Sequence, residues 1–308
     1  MIILVFLVHA IFAAIFPIGR AASLIVAPIF FTAVRMLIGG SVLLSYSWVR
    51  YGNIIPRIKN ILWIIIAFSI SGIYLTNSME FWGLQYLPSA KASFIYSLSP
   101  FVAAILSYFL FKEKMTIKKL IGMAIGFLGF IIMIIHHEPG ESTAYSFGYF
   151  SLPEVALTIA AIASAAGWIF LRRNIRNQKS VILIEVLGFS MLIGSLFCFA
   201  QSLVTEPWNP IPLYDYPHTF GLFALYMTMA LLVSNLIAYP LHTELLKTYT
   251  ATFLSFSGFI QPLCAAFYGW LFLGEIVTVY FFLASILVFI GLFIFYKEDL
   301  RQGYVLKK

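Results

Sequence analysis

Ten apolar runs, each close to the length of a bilayer-spanning helix, take up most of this 308-residue chain. They fall at 2–19, 27–48, 60–81, 89–111, 118–136, 153–171, 181–204, 218–240, 249–273 and 276–296. A helix needs about 20 apolar residues to cross the hydrocarbon core, so the runs predict ten crossings and leave no stretch long enough for a soluble domain. The charge content agrees. Only 10% of residues are charged, against about 25% in soluble domains, whereas a Lys, Arg or Asp at mid-membrane costs about 2.5–3.5 kcal/mol. The expected fold class is an all-α integral membrane protein of ten transmembrane helices.

The links are short. Leu87, Pro88 and Ser89 part the third run from the fourth, and Gly274 and Glu275 part the ninth from the tenth. The longest links, 137–152 and 205–217, carry Pro139, Gly140, Pro207, Pro210, Pro212 and Pro217 and read as loops. Met1 to Pro17 have no basic leader and no clear cleavage site, so they read as a retained first helix. With the N-terminus in the cytoplasm, sixteen of the 19 lysines and arginines fall on the inner side. Arg20 and Lys91 fall outside and Arg35 lies within a span, as the positive-inside rule expects of an inner-membrane protein with both termini cytoplasmic. The net charge of +7 sits between apolar runs, which argues against nucleic acid as a partner. Cys198 and Cys264 lie inside apolar runs and point to neither a disulfide nor a thiolate metal site. No metal or cofactor is expected. The expected partners are a small-molecule substrate and the lipid bilayer, with a homodimer left open.

The chain repeats itself. At an offset of 162, residues 84–132 fall on 246–294 without a gap, matching Ser93, Phe94, Pro100, Glu113, Thr116 and Gly129 to Ser255, Phe256, Pro262, Glu275, Thr278 and Gly291. Met36–Gly39 recurs as Met191–Gly194. Each half then holds five helices, and an odd number places the halves in opposite orientation, the inverted-repeat plan of secondary transporters. The expected boundaries are 1–136 for the first repeat, 137–152 for an outer loop, 153–296 for the second repeat and 297–308 for a cytoplasmic tail.

The repeat resembles the EamA-type family of the drug/metabolite transporter superfamily. The matching residues are Phe81 to Ala90, Leu98–Pro100, Glu113, Gly122, Gly126 and Gly129 in the first half. In the second they are Leu245–Lys247, Gln261–Pro262, Gly274–Glu275 and Gly291, and Phe31 and Arg35 fit the pattern of the second helix. The resemblance covers nearly the whole chain. It implies ten helices around a central cavity and carriage of small metabolites across the inner membrane. One departure is Asn77–Glu80, where the family usually has apolar or aromatic residues.

Polar groups inside spans are candidate functional residues. Glu80 lies one turn from Asn77, which lies one turn from Tyr74, all on one helical face. A carboxylate there can bind a substrate amine or sulfonium or carry a coupling proton; it can also be an interfacial residue bonded to the fourth helix. The offset pairs Glu80 with His242 and Asn77 with Tyr239. Free histidine titrates near neutrality, which makes His242 a candidate for proton coupling, although its place near the cytoplasmic end of its helix makes an interfacial role the simpler expectation. Arg35 can clamp a carboxylate, snorkel to the outer interface, or tie its helix to a carbonyl, and the structural role is expected. His9 is expected to make one hydrogen bond to a neighbour, and Glu185 to be solvated from the inside. Pro100 and Pro262 should kink the fourth and ninth helices, with Tyr96, Ser97, Ser99, Ser257 and Gln261 lining a site and Trp168 and Tyr268 walling it; each serine alone is as well explained by helix packing. Glu113 and Glu275 read as caps of the helices that follow them, and His136–Glu138 as part of a flexible outer loop.

The leading function is a secondary, non-ATP carrier of a small polar metabolite working by alternating access. Glu80 and Arg35 together suit a zwitterion such as an amino acid or its derivative, and S-adenosylmethionine is one candidate because some carriers of this fold take it. The alternatives are a membrane enzyme acting on lipid, for which the two aspartates, Asp215 and Asp299, supply little, and a channel or non-transporting scaffold. No P-loop is present, so ATP-driven transport would need another subunit.

Overall fold

The computed structural model describes residues 2–52, 61–112, 114–175, 182–211, 218–249 and 251–302. Glu113, Arg57, Lys59, Arg176, Lys179, Asp215, Pro212, Pro217, Lys307 and Lys308 lie outside these. Ten helices long and apolar enough to cross a membrane are present: α1 (Ile3–Ser23), α2 (Pro28–Tyr51), α3 (Leu62–Leu84), α4 (Ser89–Phe111), α5 (Ile117–Ile135), α6 (Leu152–Asn174), α7 (Leu183–Thr205), α8 (His218–Thr248), α9 (Phe253–Leu273) and α10 (Val279–Gln302). A two-residue hairpin, β1 (Ser146–Phe147) with β2 (Phe150–Ser151), is part of the linker between α5 and α6.

Two helices outrun the apolar runs that announce them. α8 continues to Thr248, burying Leu245 and Leu246 while Glu244 and Lys247 pair on its exposed side at 2.6 Å. α10 continues to Gln302, into the segment expected to be a tail, because Asp299 turns inward and forms a buried ion pair with Lys119 of α5. A charge that finds its partner on a neighbouring helix does not end a span. The threonines at equivalent positions act alike: Thr116 accepts from the Lys119 backbone at the start of α5, and Thr278 from the Phe281 backbone at the start of α10, both at 3.4 Å.

Small residues set the closest helix pairs. In the α5–α10 seam a Cβ on Gly122 would lie 2.5 Å from the Gly291 carbonyl, and in the α2–α7 seam one on Gly40 would lie 2.7 Å from that of Gly188. Apolar burial does not separate lipid-embedded helices from lipid, so backbone approach at such residues holds them together. These two pairs flank the bundle. The remaining helices, α1, α3, α4, α6, α8 and α9, meet at its centre.

Five of the central helices are irregular, the first of them α1, which breaks at Ala14. α4 breaks at Ser97–Leu98 and α9 at Gly258–Phe259, and each resumes as α-helix with its proline, Pro100 or Pro262, in the first turn. The expected kinks are therefore breaks just ahead of the prolines, where a missing N–H leaves no bond unmade. α3 and α8 each carry a π-helical segment, Ser69–Leu75 and Leu231–Ala238. Their starting residues are 162 positions apart, the offset of the sequence repeat. Segments of this kind occur mostly at functional sites.

Candidate functional site

The central helices enclose a cavity of about 70 Å³. Its polar wall is built by the turn that follows each π-segment, which carries Asn77 and Glu80 on α3 and Tyr239 and His242 on α8. The wider winding re-aims these side chains: Asn77 Nδ2 donates to the Ile73 carbonyl at 2.8 Å, and Thr76 closes the turn by donating to Ser71 O at 2.8 Å. Asn77 Nδ2 also donates to the Tyr239 hydroxyl at 3.1 Å, and Asn77 Oδ1 accepts from Arg35 Nη2 at 2.7 Å.

Arg35 is fully buried on α2, with its guanidinium carbon 4.6 Å from the centre of the Phe81 ring. It does not snorkel to an interface, and among the described residues it donates to the Asn77 side chain rather than to a main-chain carbonyl. Its Nε and Nη1 have no hydrogen-bond partner among the described residues. Arg35 stands one layer behind Asn77 rather than on the cavity wall. Glu80 is on the wall, is 5% exposed, and takes no hydrogen bond from any described residue. It is thus not the interfacial carboxylate tied to α4. Arg35 interacts with it electrostatically.

Aromatic rings continue the wall from His242. The His242 ring lies 4.5 Å from Trp168, 5.7 Å from His9 and 5.9 Å from Phe12, centre to centre. Both histidines are buried, and His9 Nδ1 pairs with Gln261 Nε2 at 3.1 Å. The interfacial expectation for His242 is therefore corrected: α8 continues past it, so it sits inside the bundle. Tyr96 lies beside these groups with its hydroxyl bonded to Ser164.

Of the residues singled out from sequence, Glu80, Asn77, Tyr96, Ser99, Trp168, Tyr239, Gln261 and His242 meet at the cavity. Four do not. Tyr74 packs against Phe197, 5.6 Å away on α7, because the π-segment rotates it off the face of Asn77 and Glu80. Ser97 and Ser257 turn back onto the Phe94 and Leu254 carbonyls just ahead of the helix breaks, at 2.6 and 2.7 Å. Tyr268 lies beyond the break in α9, against Phe267 and Phe272. Sequence reasoning set His9 aside and missed Phe12, Phe16, Ser164, Ser234 and Ser255. Ser255, the repeat partner of Ser93, was the one with a signal.

Charged groups at the linker end also differ from expectation. Lys91 is wholly buried on α4, bound by Glu141 at 2.9 Å, Glu154 at 2.8 Å and the His136 carbonyl at 3.0 Å. Glu138, expected in a flexible loop, is buried and accepts from Thr278 at 2.6 Å. Glu275 caps α4, not α10: its carboxylate accepts from the Ser89 backbone and hydroxyl at 3.1 Å. Glu185 is buried rather than solvated and accepts from Ser47 at 2.9 Å. These carboxylates find donors on neighbouring elements that the sequence does not place beside them.

Residues 1–135 and 152–297 match the EamA-like transporter family. The S-adenosylmethionine/S-adenosylhomocysteine transporter of Chlamydia muridarum (strain MoPn / Nigg) is 35% identical over 99% of this chain and 94% of its own length. The protein of that name from Chlamydia trachomatis serovar L2 is 36% identical over 99% of this chain and 91% of its own length. A crystal structure 18% identical in sequence shares the fold over 97% of each chain, with a TM-score of 0.68.

Proposed function

Because the chain belongs to the EamA-like transporter family, we propose that its central cavity carries S-adenosylmethionine and S-adenosylhomocysteine across the bacterial inner membrane by alternating access. The observation that carries this reading is Glu80, a buried carboxylate on the cavity wall with no hydrogen-bond donor among the described residues. Inside a span such a charge is retained only where something uses it. The ammonium of either compound supplies donors to that carboxylate, and the sulfonium that S-adenosylmethionine adds supplies further positive charge. Arg35, whose charge acts on Glu80, offers its Nε and Nη1, which no described residue accepts from, to the substrate carboxylate as the site widens. The aromatic wall of Phe12, Trp168 and the two histidines suits a purine face, with Gln261 at its edge. The two Chlamydia relatives, named for these compounds and similar over nearly their whole length, support the same choice.

A cavity of about 70 Å³ is far below the roughly 300–1,000 Å³ of small-molecule sites, so the conformation described is a contracted one. We read the halves as inverted repeats that rock about the central contact. The linker end is outside and both termini are cytoplasmic, in keeping with the basic residues at the other end, Arg50, Lys112, Lys114, Lys118, Arg172, Arg173 and Lys297 among them. Uptake of labelled S-adenosylmethionine by cells expressing the chain tests the reading. Excess unlabelled S-adenosylmethionine and S-adenosylhomocysteine should both suppress uptake and methionine should not. Uptake no greater than that of cells without the protein would overturn it.

A further inference from the structure

A second cavity, of about 570 Å³, opens at the linker end between the α1–α2 connection, the end of α3, the linker and the end of α7. Unlike the central cavity, it already has the size of a ligand site. Three rings stand in one corner of it. Trp82 lies 5.2 Å from Tyr86 and 5.8 Å from Tyr145, and Tyr86 lies 5.4 Å from Tyr145 at 86°, so the rings are angled and leave faces open rather than closing into a stack.

This corner is held at some cost. Tyr145 has φ 61°, in the left-handed region that a non-glycine side chain rarely adopts. The linker is fastened around it by the Ser142 N–H on the Tyr86 carbonyl at 2.9 Å and the Leu152 N–H on the Tyr145 carbonyl at 3.0 Å. Backbone strain of this kind persists where the surroundings impose it and gathers at binding sites. Across the cavity, Gln201 Oε1 is buried with no donor among the described residues. A buried acceptor without a donor is destabilising, and a ligand N–H would relieve it.

The two cavities are in line. Met79 borders the outer one and Glu80 the central one. An apolar cluster separates them, with Ile15 and Phe16 on the central side, Val26 on the outer side, and Phe31 stacked on Phe81 at 5.8 Å between.

We propose that this vestibule is a second binding site, which takes the flat purine head of the substrate against Trp82, Tyr86 and Tyr145 before the apolar cluster parts. Gln201 accepts from the exocyclic amine. The proposal rests on the reading that the cargo carries a purine.

Equilibrium dialysis of labelled S-adenosylmethionine against the full-length protein in detergent tests it. Each variant is first checked to be monodisperse by size exclusion. Wild type should bind at two sites, and Glu80→Gln should keep one that adenosine displaces and methionine does not. Adding Trp82→Ala or Gln201→Leu should weaken that remaining site by about tenfold, the order of one lost stacking contact. Remaining binding that neither substitution changes, or no remaining binding in Glu80→Gln, overturns the vestibule and leaves the central reading standing. A single wild-type site lost with Trp82→Ala and kept with Glu80→Gln upholds the vestibule and removes the central site. A wild type that binds nothing overturns both.

Discussion

Asn77 and Tyr239 hydrogen-bond to each other at 3.1 Å although they are 162 positions apart, the offset at which the two halves of the sequence match. Each follows a π-segment at the equivalent point of its helix, on α3 and on α8. The cavity therefore sits where the halves meet, and we read this contact as the pivot about which they move.

The contact also holds a charge. Asn77 supplies the one hydrogen bond that Arg35 makes among the described residues. Asn77→Leu should lower stability by about 1.5–3 kcal/mol, the worth of a hydrogen bond to a charged group, and Tyr239→Phe by about 0.5–1.5 kcal/mol. Thermal unfolding in detergent of both single variants and the double variant measures their coupling. Effects that add to within about 0.3–0.5 kcal/mol would mean the two residues are not one unit.

At the linker end, Lys91 neutralises two buried carboxylates, Glu141 and Glu154, that come from the linker and from α6. Lys91→Met leaves both without a cation and should cost about 3–5 kcal/mol. Joining it to Glu141→Gln and Glu154→Gln should restore most of the melting temperature. A single variant that melts like wild type would show that the cluster is not closed in solution.

The α5–α10 seam has no room for a side chain at Gly122. Gly122→Leu should overpack it by about 1–3 kcal/mol or more and reduce the yield of folded protein. Gly221 on α8 is the control, since a Cβ there meets nothing within 4 Å. Gly221→Ala should be neutral or stabilising by up to about 1 kcal/mol. Equal losses at the two positions would contradict the packing.

Glu138 lies in the linker beyond α5, and its burial raises its carboxyl above the ordinary 4.5 despite the Thr278 hydroxyl and the nearby Lys91. A carboxyl raised on folding stabilises the protein at low pH, and that contribution is lost as pH rises through the folded value. Glu138→Gln removes the titration, so its melting temperature relative to wild type should climb from about pH 4 to pH 7. A difference that is flat or falls over that range would put Glu138 in water.

Sequence alone revealed the ten helices, because lipid demands long apolar runs and each run became a span. It also matched Asn77 to Tyr239, which hydrogen-bond, and Glu80 to His242, which line the same cavity, because the repeat preserves their offset. It did not show what each polar side chain faces. Tyr74 was put beside Asn77 by α-helical spacing, and the π-segment turns it away. Lys91, Glu138 and Glu185 looked solvated because hydropathy is blind to a partner on another helix. His9 looked incidental for the same reason: its neighbours Gln261 and His242 lie far along the chain.

The most direct test of the account is transport by the purified chain in liposomes preloaded with S-adenosylhomocysteine and offered labelled S-adenosylmethionine outside. Wild type should accumulate label faster than protein-free liposomes do, and Glu80→Gln, reconstituted in equal amount, should lose that uptake. Undiminished uptake by Glu80→Gln would remove the carboxylate from the mechanism, and no uptake by wild type would contradict the assignment of the cargo itself.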